Sequence, residues 1–345
     1  MVNQTTDSFS SASASRDLTQ GDLTLVEAVN LALARALSED PNVVLLGEDI
    51  GRNGGVFRAT QGLQDRFGRE RVMDTPLAET LIAGTAIGMA SQGLKPVAEI
   101  QFMGFIFPAM EQLVTHAARL RNRTRGRLHC PLVVRAPFGG GIHAPEHHSE
   151  STEALFAHIP GIRVVIPSSP RRAYGLLLSA IDDPDPVLFL EPKRLYRALK
   201  QPLVDDGARL PLDKVFILRE GSDITLVSWG ACIQETLEAV QALEQQGISA
   251  EVVDVATVSP LDMDSIRASV EKTGRCVIVH EAARSGGIAS EISARLAEES
   301  LVYLRAPVQR VTGYDATMPY PRNEHLYLPR TEDIIQAVRK TLEGL

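Results

Sequence analysis

Apolar residues recur along the chain with two periods, and these alternate. Leu25, Ala28, Val29 and Ala32 fall at i, i+3, i+4 and i+7, and Leu33 and Ala36 extend the stripe, which predicts an amphipathic helix over 24–38. Val43 to Leu46 is a short apolar run, a strand whose end carries Gly47-Glu48-Asp49, an acidic loop able to face a ligand. Arg71 to Met73 predicts another strand. In Asp74-Thr75-Pro76 after it, Thr75 reads as an N-cap and Pro76 as the first helical residue. The helix beyond is rich in small residues: Ala83, Gly84, Thr85, Ala86, Gly88, Ala90. Each glycine costs a helix about 1 kcal/mol, and close helix packing is the usual reason to accept that cost. A buried face, against another subunit if not within this one, is the expectation.

Further strands are predicted at 97–101, 132–136, 163–166 and 187–190, with helices at 108–123 and 169–181 between them. Near-continuous apolar strands alternating with helices mean a parallel sheet covered on both faces. Residues 198–215, mixed in charge and containing proline, read as a linker. A second block repeats the alternation: strands at 224–228, 250–255, 276–280 and 307–311, helices at 231–246, 262–272, 287–299 and 331–343. The fold class is therefore α/β with two parallel-sheet domains. Their expected bounds are 23–205 and 206–345, after a Ser-rich disordered tail over 1–22 that lacks the apolar core of a secretion signal and the arginines of a transit peptide.

Composition narrows the classes. A chain of 345 residues with 44% apolar and 23% charged residues has room for about two packed domains. A net charge of −8 disfavours a general nucleic-acid or anionic-membrane binder. No apolar run nears the roughly 18 residues of a membrane span. Cys130, Cys232 and Cys276 are far apart and form no CxxC, which suits buried thiols in a reducing cytoplasm. No GxGxxG, P-loop, GxSxG or HExxH is present, so a self-sufficient common catalytic motif is missing.

The richest chemistry lies in Pro137-Phe138-Gly139-Gly140-Gly141-Ile142-His143-Ala144-Pro145-Glu146-His147-His148-Ser149-Glu150. Three glycines let backbone approach a ligand closely. Three of the chain's eight histidines in six residues suggest proton transfer near neutral pH. A metal site on His143, Glu146, His147 and His158, or a plain polar loop, are the rival readings. Glu79 is either a favourable charge in a helix's first turn or a carboxylate at the ligand-facing end of a strand–helix crossover. Phe105 and Phe107 are either core or a platform for a flat ligand.

Several segments then carry a resemblance together: Leu46-Gly47-Glu48-Asp49, Asp74-Thr75-Pro76-Leu77-Ala78-Glu79, Glu99 to Phe105, the Gly-rich histidine loop, Glu191-Pro192-Lys193-Arg194-Leu195-Tyr196, Val253 to Pro260, and Val279-His280-Glu281 to Ile288. In this order, over about 23–345, they resemble the beta subunits of thiamine-diphosphate-dependent 2-oxo acid dehydrogenases. These include the pyruvate, branched-chain and acetoin-cleaving enzymes. The resemblance implies a pyrimidine-binding domain followed by a transketolase C-terminal-like domain. It implies thiamine diphosphate shared with an alpha subunit, which binds the diphosphate and Mg²⁺ through motifs absent here, in an α₂β₂ tetramer. It further implies oxidative decarboxylation of a 2-oxo acid, pyruvate before branched-chain acids, and acyl transfer to a lipoyl-bearing dihydrolipoamide acyltransferase. No nucleic-acid or membrane partner is implied.

By motif match, Glu79 resembles the carboxylate that bonds the pyrimidine nitrogen, and Glu48 its supporting acid. Phe105 would stack on the ring, and Leu77 and Gln101 would line the pocket. His148 matches the histidine implicated in acyl transfer, with His147 a second choice. Leu132, Ala180, Ile181, Asp183 and Asp185 match a potassium site, against which stands the reading of Asp182-Asp183-Pro184-Asp185 as an ordinary turn. A single-chain transketolase, a zinc hydrolase on the histidine loop, an acetoin dehydrogenase subunit and a non-catalytic scaffold for the acyltransferase are the alternatives.

Overall fold

The structure is a computed structural model that describes residues 20–344. The first half runs β1 (Gln20–Thr24), α1 (Leu25–Glu39), β2 (Val43–Gly47), α2 (Leu63–Phe67), β3 (Val72–Asp74), α3 (Glu79–Ser91), β4 (Lys95–Glu99), α4 (Phe107–Glu111), α5 (Leu120–Arg123), β5 (Val133–Phe138), α6 (Glu153–Ala157), β6 (Arg163–Val165), α7 (Pro170–Asp182), β7 (Val187–Pro192) and β8 (Lys200–Val204). The second runs β9 (Phe216–Arg219), β10 (Ile224–Ser228), α8 (Cys232–Glu244), β11 (Ala250–Asp254), β12 (Thr257–Ser259), α9 (Met263–Thr273), β13 (Cys276–Val279), α10 (Ile288–Glu299), β14 (Gln309–Val311), α11 (Glu324–Tyr327) and α12 (Thr331–Leu342).

Two sheets carry the molecule. One has seven strands in the order β12-β6-β7-β5-β4-β2-β3, the other five in the order β14-β13-β10-β11-β9. All neighbours are parallel except the edge strands β12 and β9. Helix α1 starts where its stripe predicts. The Thr24 N–H donates to Glu27 Oε2 at 2.8 Å and the Thr24 hydroxyl accepts from the Glu27 N–H at 3.4 Å, a reciprocal cap. Its buried face packs on α7, itself capped by Ser169.

Five expectations are corrected. The tail reading covers 1–22; residues 1–19 lie outside the described ones, but Gln20–Asp22 are strand, paired antiparallel with Pro202–Val204. That pairing also makes 200–204 a strand inside the predicted linker. Leu23 and Leu203 bury their side chains, an alternation too short to read in advance. Helix α3 starts at Glu79, not at Pro76, with Ala78 as an N-cap that offers no side-chain bond. The backbone stays extended because Asp74 still pairs with Gly47 of β2 and the Thr75 N–H donates to the Gly47 carbonyl at 3.0 Å. The 108–123 helix is a composite: α4, a π turn over Gln112–His116, a 3₁₀ turn over Ala117–Arg119, then α5. Finally, β12 comes from the second half of the chain but closes the first sheet, with Thr257 opposite Val165.

Candidate active site

In the seven-stranded sheet β3, β2, β4 and β5 are consecutive neighbours and parallel. The loops leaving their carboxyl ends therefore stand side by side, where open α/β sheets bind ligands. The loop after β3 delivers Glu79 as the first residue of α3, at the positive helix end. The loop after β2 delivers Glu48, half-buried. Burial pushes its carboxyl above the ordinary range, and the charges of Asp49 and Glu79 add to that. The two acids are thus neighbours, and among the described residues no ion pair engages either.

The loop after β4 carries Gln101 and Phe105, both half-buried. Gly104 lies against the next loop so tightly that a Cβ there would stand 2.0 Å from the His147 carbonyl oxygen. That approach joins Phe105 to the histidines. Its ring centroid is 5.8 Å from His147 and 5.2 Å from His148, and Phe102 lies edge-on to His148 at 4.5 Å. The Thr80 hydroxyl donates to the Pro108 carbonyl at 2.7 Å, tying the start of α3 to α4 behind Phe105.

The loop after β5 turns on Gly139 and Gly141, both at φ +84°, and places Glu146–His148 in one 3₁₀ turn. His147 is exposed. His148 is half-buried, and its Nδ1 is buried with no hydrogen-bond partner. Burial lowers the His148 pKa, helped by the charges of His147 and Lys193. Lys193, just past β7, is 4% exposed with a partnerless Nζ, and burial draws it down to about 8.

Glu48, Glu79, Gln101, Phe105, His147 and His148 therefore share one edge. Leu77 sits at its lip, 72% exposed. Phe107 is exposed beyond it. The zinc reading is not supported. His143 and His158 are exposed, and among the described residues no group of three or more His, Cys, Asp or Glu side chains could hold a metal ion. Leu132, Ala180, Ile181, Asp183 and Asp185 lie at the opposite, amino edge of the sheet. There Asp183 pairs with Arg163 at 2.8 Å, Asp185 with Arg121 at 3.0 Å, and the Leu132 carbonyl accepts from the Val187 N–H. Sequence reasoning missed Phe102, and it missed Glu281 and Glu324, which reach the histidine loop from the second sheet's domain. Glu281 stood in a quoted motif; Glu324 had no signal.

Fold and edge together define a transketolase-type chain. Residues 22–198 match the pyrimidine binding domain of transketolase and residues 213–334 its C-terminal domain. The chain is 51% identical over 318 residues to the pyruvate dehydrogenase E1 component subunit beta of Acholeplasma laidlawii, covering 92% of this chain and 97% of that one. It is 48% identical to the corresponding subunit of Bacillus subtilis (strain 168), covering 93% and 99%. Among solved structures it resembles a split-gene transketolase in an inactive β4 tetramer, with a TM-score of 0.77, 25% identity, and coverage of 94% and 99%. The chain belongs to the family of beta subunits of 2-oxo acid dehydrogenase E1 components.

Proposed function

We propose that this chain is the pyrimidine-holding half of an E1 enzyme that oxidatively decarboxylates pyruvate with thiamine diphosphate. The observation that carries the reading is the line of Glu79, Glu48, Phe105 and His148 along four adjacent strand ends. It occurs in a chain whose relatives at 51% and 48% identity are named pyruvate dehydrogenase subunits. Branched-chain 2-oxo acids are the second choice of substrate.

The residues fit an aminopyrimidine ring. Leu77 and Phe105 offer apolar surface to its faces, Gln101 an amide to its edge, and Glu79 a carboxylate free of any cation among the described residues. Bound there, the cofactor supplies the carbon nucleophile and the electron sink. Glu79 accepts a hydrogen bond from a ring nitrogen and holds a proton at that position. Glu48 is the supporting acid beside it, its carboxyl pushed above the ordinary range by burial and by the charges of Asp49 and Glu79. His148 accepts or delivers a proton during acyl transfer to the lipoyl arm of a dihydrolipoamide acyltransferase. His147 is the second imidazole within reach.

An alpha subunit brings the diphosphate site and Mg²⁺ in an α₂β₂ assembly. Two observations support this. Leu77 and Leu81, at the start of α3, are 72% and 48% exposed, and Gly88 on the same helix has open space where a side chain would be. The split-gene transketolase it resembles is inactive as a β4 tetramer. We place the protein in the cytoplasm on the strength of its three buried free thiols. No described helix is long and apolar enough to cross a membrane. The potassium assignment at Leu132, Ala180, Ile181, Asp183 and Asp185 rests on the gathering of those residues at one edge.

The test is reduction of an artificial electron acceptor, dependent on a 2-oxo acid, with thiamine diphosphate and Mg²⁺. Activity is expected only when the chain is co-purified with its alpha partner, with pyruvate preferred. Activity of the lone chain, or silence of a stable pair, overturns the reading.

A further inference from the structure

The histidine loop is held by the other half of the chain. One carboxylate, Glu324 at the start of α11, spans two of its amides: the Gly141 N–H donates to Oε1 at 2.6 Å and the His143 N–H to Oε2 at 3.0 Å. Glu281, after β13, accepts from the Ser151 hydroxyl at 2.8 Å and from the Gly140 N–H at 3.3 Å. Glu324 is 3% exposed and Glu281 5%. Hydrogen bonds to both oxygens satisfy Glu324, whereas Glu281 Oε2 has no hydrogen bond and lies 3.7 Å from Arg194 Nη2. The three glycines lie in the same close packing. A Cβ at Gly139 would lie 1.9 Å from Glu281 Oε1, one at Gly140 2.6 Å from Met318 Cε, and one at Gly141 2.4 Å from Arg194 Cδ. At Gly139 and Gly140 it is the second domain's side chains, Glu281 and Met318, that come this close to the backbone, and at Gly141 it is Arg194 of the first domain.

Between Gly140 and Ala144, the described backbone amides of the loop that are bonded find their partners on Glu281 and Glu324. The 3₁₀ turn that carries His147 and His148 begins three residues past His143, after Pro145, whose fixed φ transmits the direction of the chain.

We propose that Glu324, assisted by Glu281, is a positioning residue for acyl transfer: the second domain fixes the amides of the histidine loop and so sets where His148 stands. This rests on the proposed role of His148. Lys193 fits the arrangement. Its buried ammonium acts on Glu281, Glu324 and Glu150 and supplies the positive charge that a buried acid pair calls for.

The experiment uses the reconstituted pair with its cofactors, as wild type, Glu324→Gln and His148→Ala. Two rates are measured: pyruvate-dependent reduction of an artificial acceptor, and reductive acetylation of a free lipoyl domain. Hydrogen exchange is followed in the 139–149 segment. In Glu324→Gln one amide loses its acceptor, because the new NH₂ group faces it. The expected result is a loss in lipoyl acetylation at least tenfold larger than the loss in acceptor reduction. Faster exchange at Gly141 or His143 should accompany it, while the sheet strands stay protected. Equal losses in both rates, with His148→Ala still separating them, overturn the inference and leave the role of His148 standing. Equal losses in His148→Ala overturn that role instead, and exchange at Gly141 and His143 then decides whether the clamp exists. If Glu324→Gln does not assemble, the wild type decides alone: both amides exchanging at the rate of a free loop sink the proposal.

Discussion

The two edges of the seven-stranded sheet are built to opposite specifications. At the amino edge the acids have cations. Asp183 meets Arg163, Asp185 meets Arg121, Asp182 meets both Lys95 and Arg209, and Asp40 meets Lys95 at 3.0 Å. At the carboxyl edge, 20 Å or so away at about 3.3 Å per strand residue, polar groups are left over. Glu48 and Glu79 have no ion pair among the described residues, and Thr75 Oγ1, His148 Nδ1 and Lys193 Nζ are buried without partners. Buried polar groups are ordinarily satisfied. These open groups are what the proposed ligand and alpha subunit would engage. At the amino edge Asp183 and Asp185 already have arginine partners.

The largest effect expected from breaking this contrast is on chemistry. Glu79→Gln keeps the size of the side chain and removes the carboxylate that holds the proton. Activity of the reconstituted pair should fall about 100- to 10,000-fold, while gel filtration still shows the assembled complex. Decarboxylation at the wild-type rate would remove Glu79 from the site.

Next comes the support directly beneath that edge. Arg135 on β5 is buried between two acids, with Nη1 2.8 Å from Glu99 Oε2, Nε 2.6 Å from Glu191 Oε1 and Nη2 2.9 Å from Glu191 Oε2. The Tyr196 hydroxyl donates to the same Glu191 at 2.6 Å. This network crosslinks β4, β5 and β7 just before they release the site loops. Arg135→Met strands two buried carboxylates, and a loss of about 3–5 kcal/mol follows. A drop in melting temperature of only a degree or two would show that the network is dispensable.

Much of this was legible in the sequence, and the boundary of legibility is physical. Helix α1 could be read because its apolar stripe, Leu25, Ala28, Val29, Ala32, Leu33 and Ala36, faces one way, and the Thr24–Glu27 cap fixes its start where the stripe begins. That Glu79, Phe105 and the histidines come to one edge was foreseeable, because loops after adjacent parallel strands bring contiguous motifs together. Thr75 misled because its cap signal is local, whereas the bond from its N–H to Gly47 is tertiary. Strands β1, β8 and β12 hid because each is short and pairs far along the chain. Glu281 and Glu324 hid for a stronger reason: they act on backbone amides more than 130 residues away, and backbone contacts leave no side-chain pattern except the glycines that permit them.

A third, smaller effect is one of pH. Glu153, at the head of α6 below the histidine loop, is fully buried, and burial holds its carboxyl up at about 8 against an ordinary 4.5. The folded chain therefore keeps a proton that the unfolded chain releases. The resulting stability is fully present below about pH 4.5 and is lost as pH rises through about 8. Glu153→Gln should flatten that decline. Against wild type, the melting temperature of the variant should gain a few degrees between pH 6 and 8 and little at pH 5. A difference that does not change with pH would mean that Glu153 is already ionised in the fold.

The smallest effect tests the amino edge itself. Asp185 and Arg121 keep 31% and 47% of their side-chain surface exposed, and pairs so exposed contribute about 0–1 kcal/mol. In sodium chloride, Asp185→Asn should therefore shift the melting temperature by no more than about two degrees. Potassium separates the two descriptions of this edge. If Asp185 and its neighbours bind the ion, wild type melts higher in potassium chloride than in sodium chloride at equal ionic strength, because a bound ion stabilises only the folded state; Asp185→Asn then loses that increment. If the arginines alone serve these acids, both proteins melt alike in either salt, and the amino edge owes its order to Arg121 and Arg163.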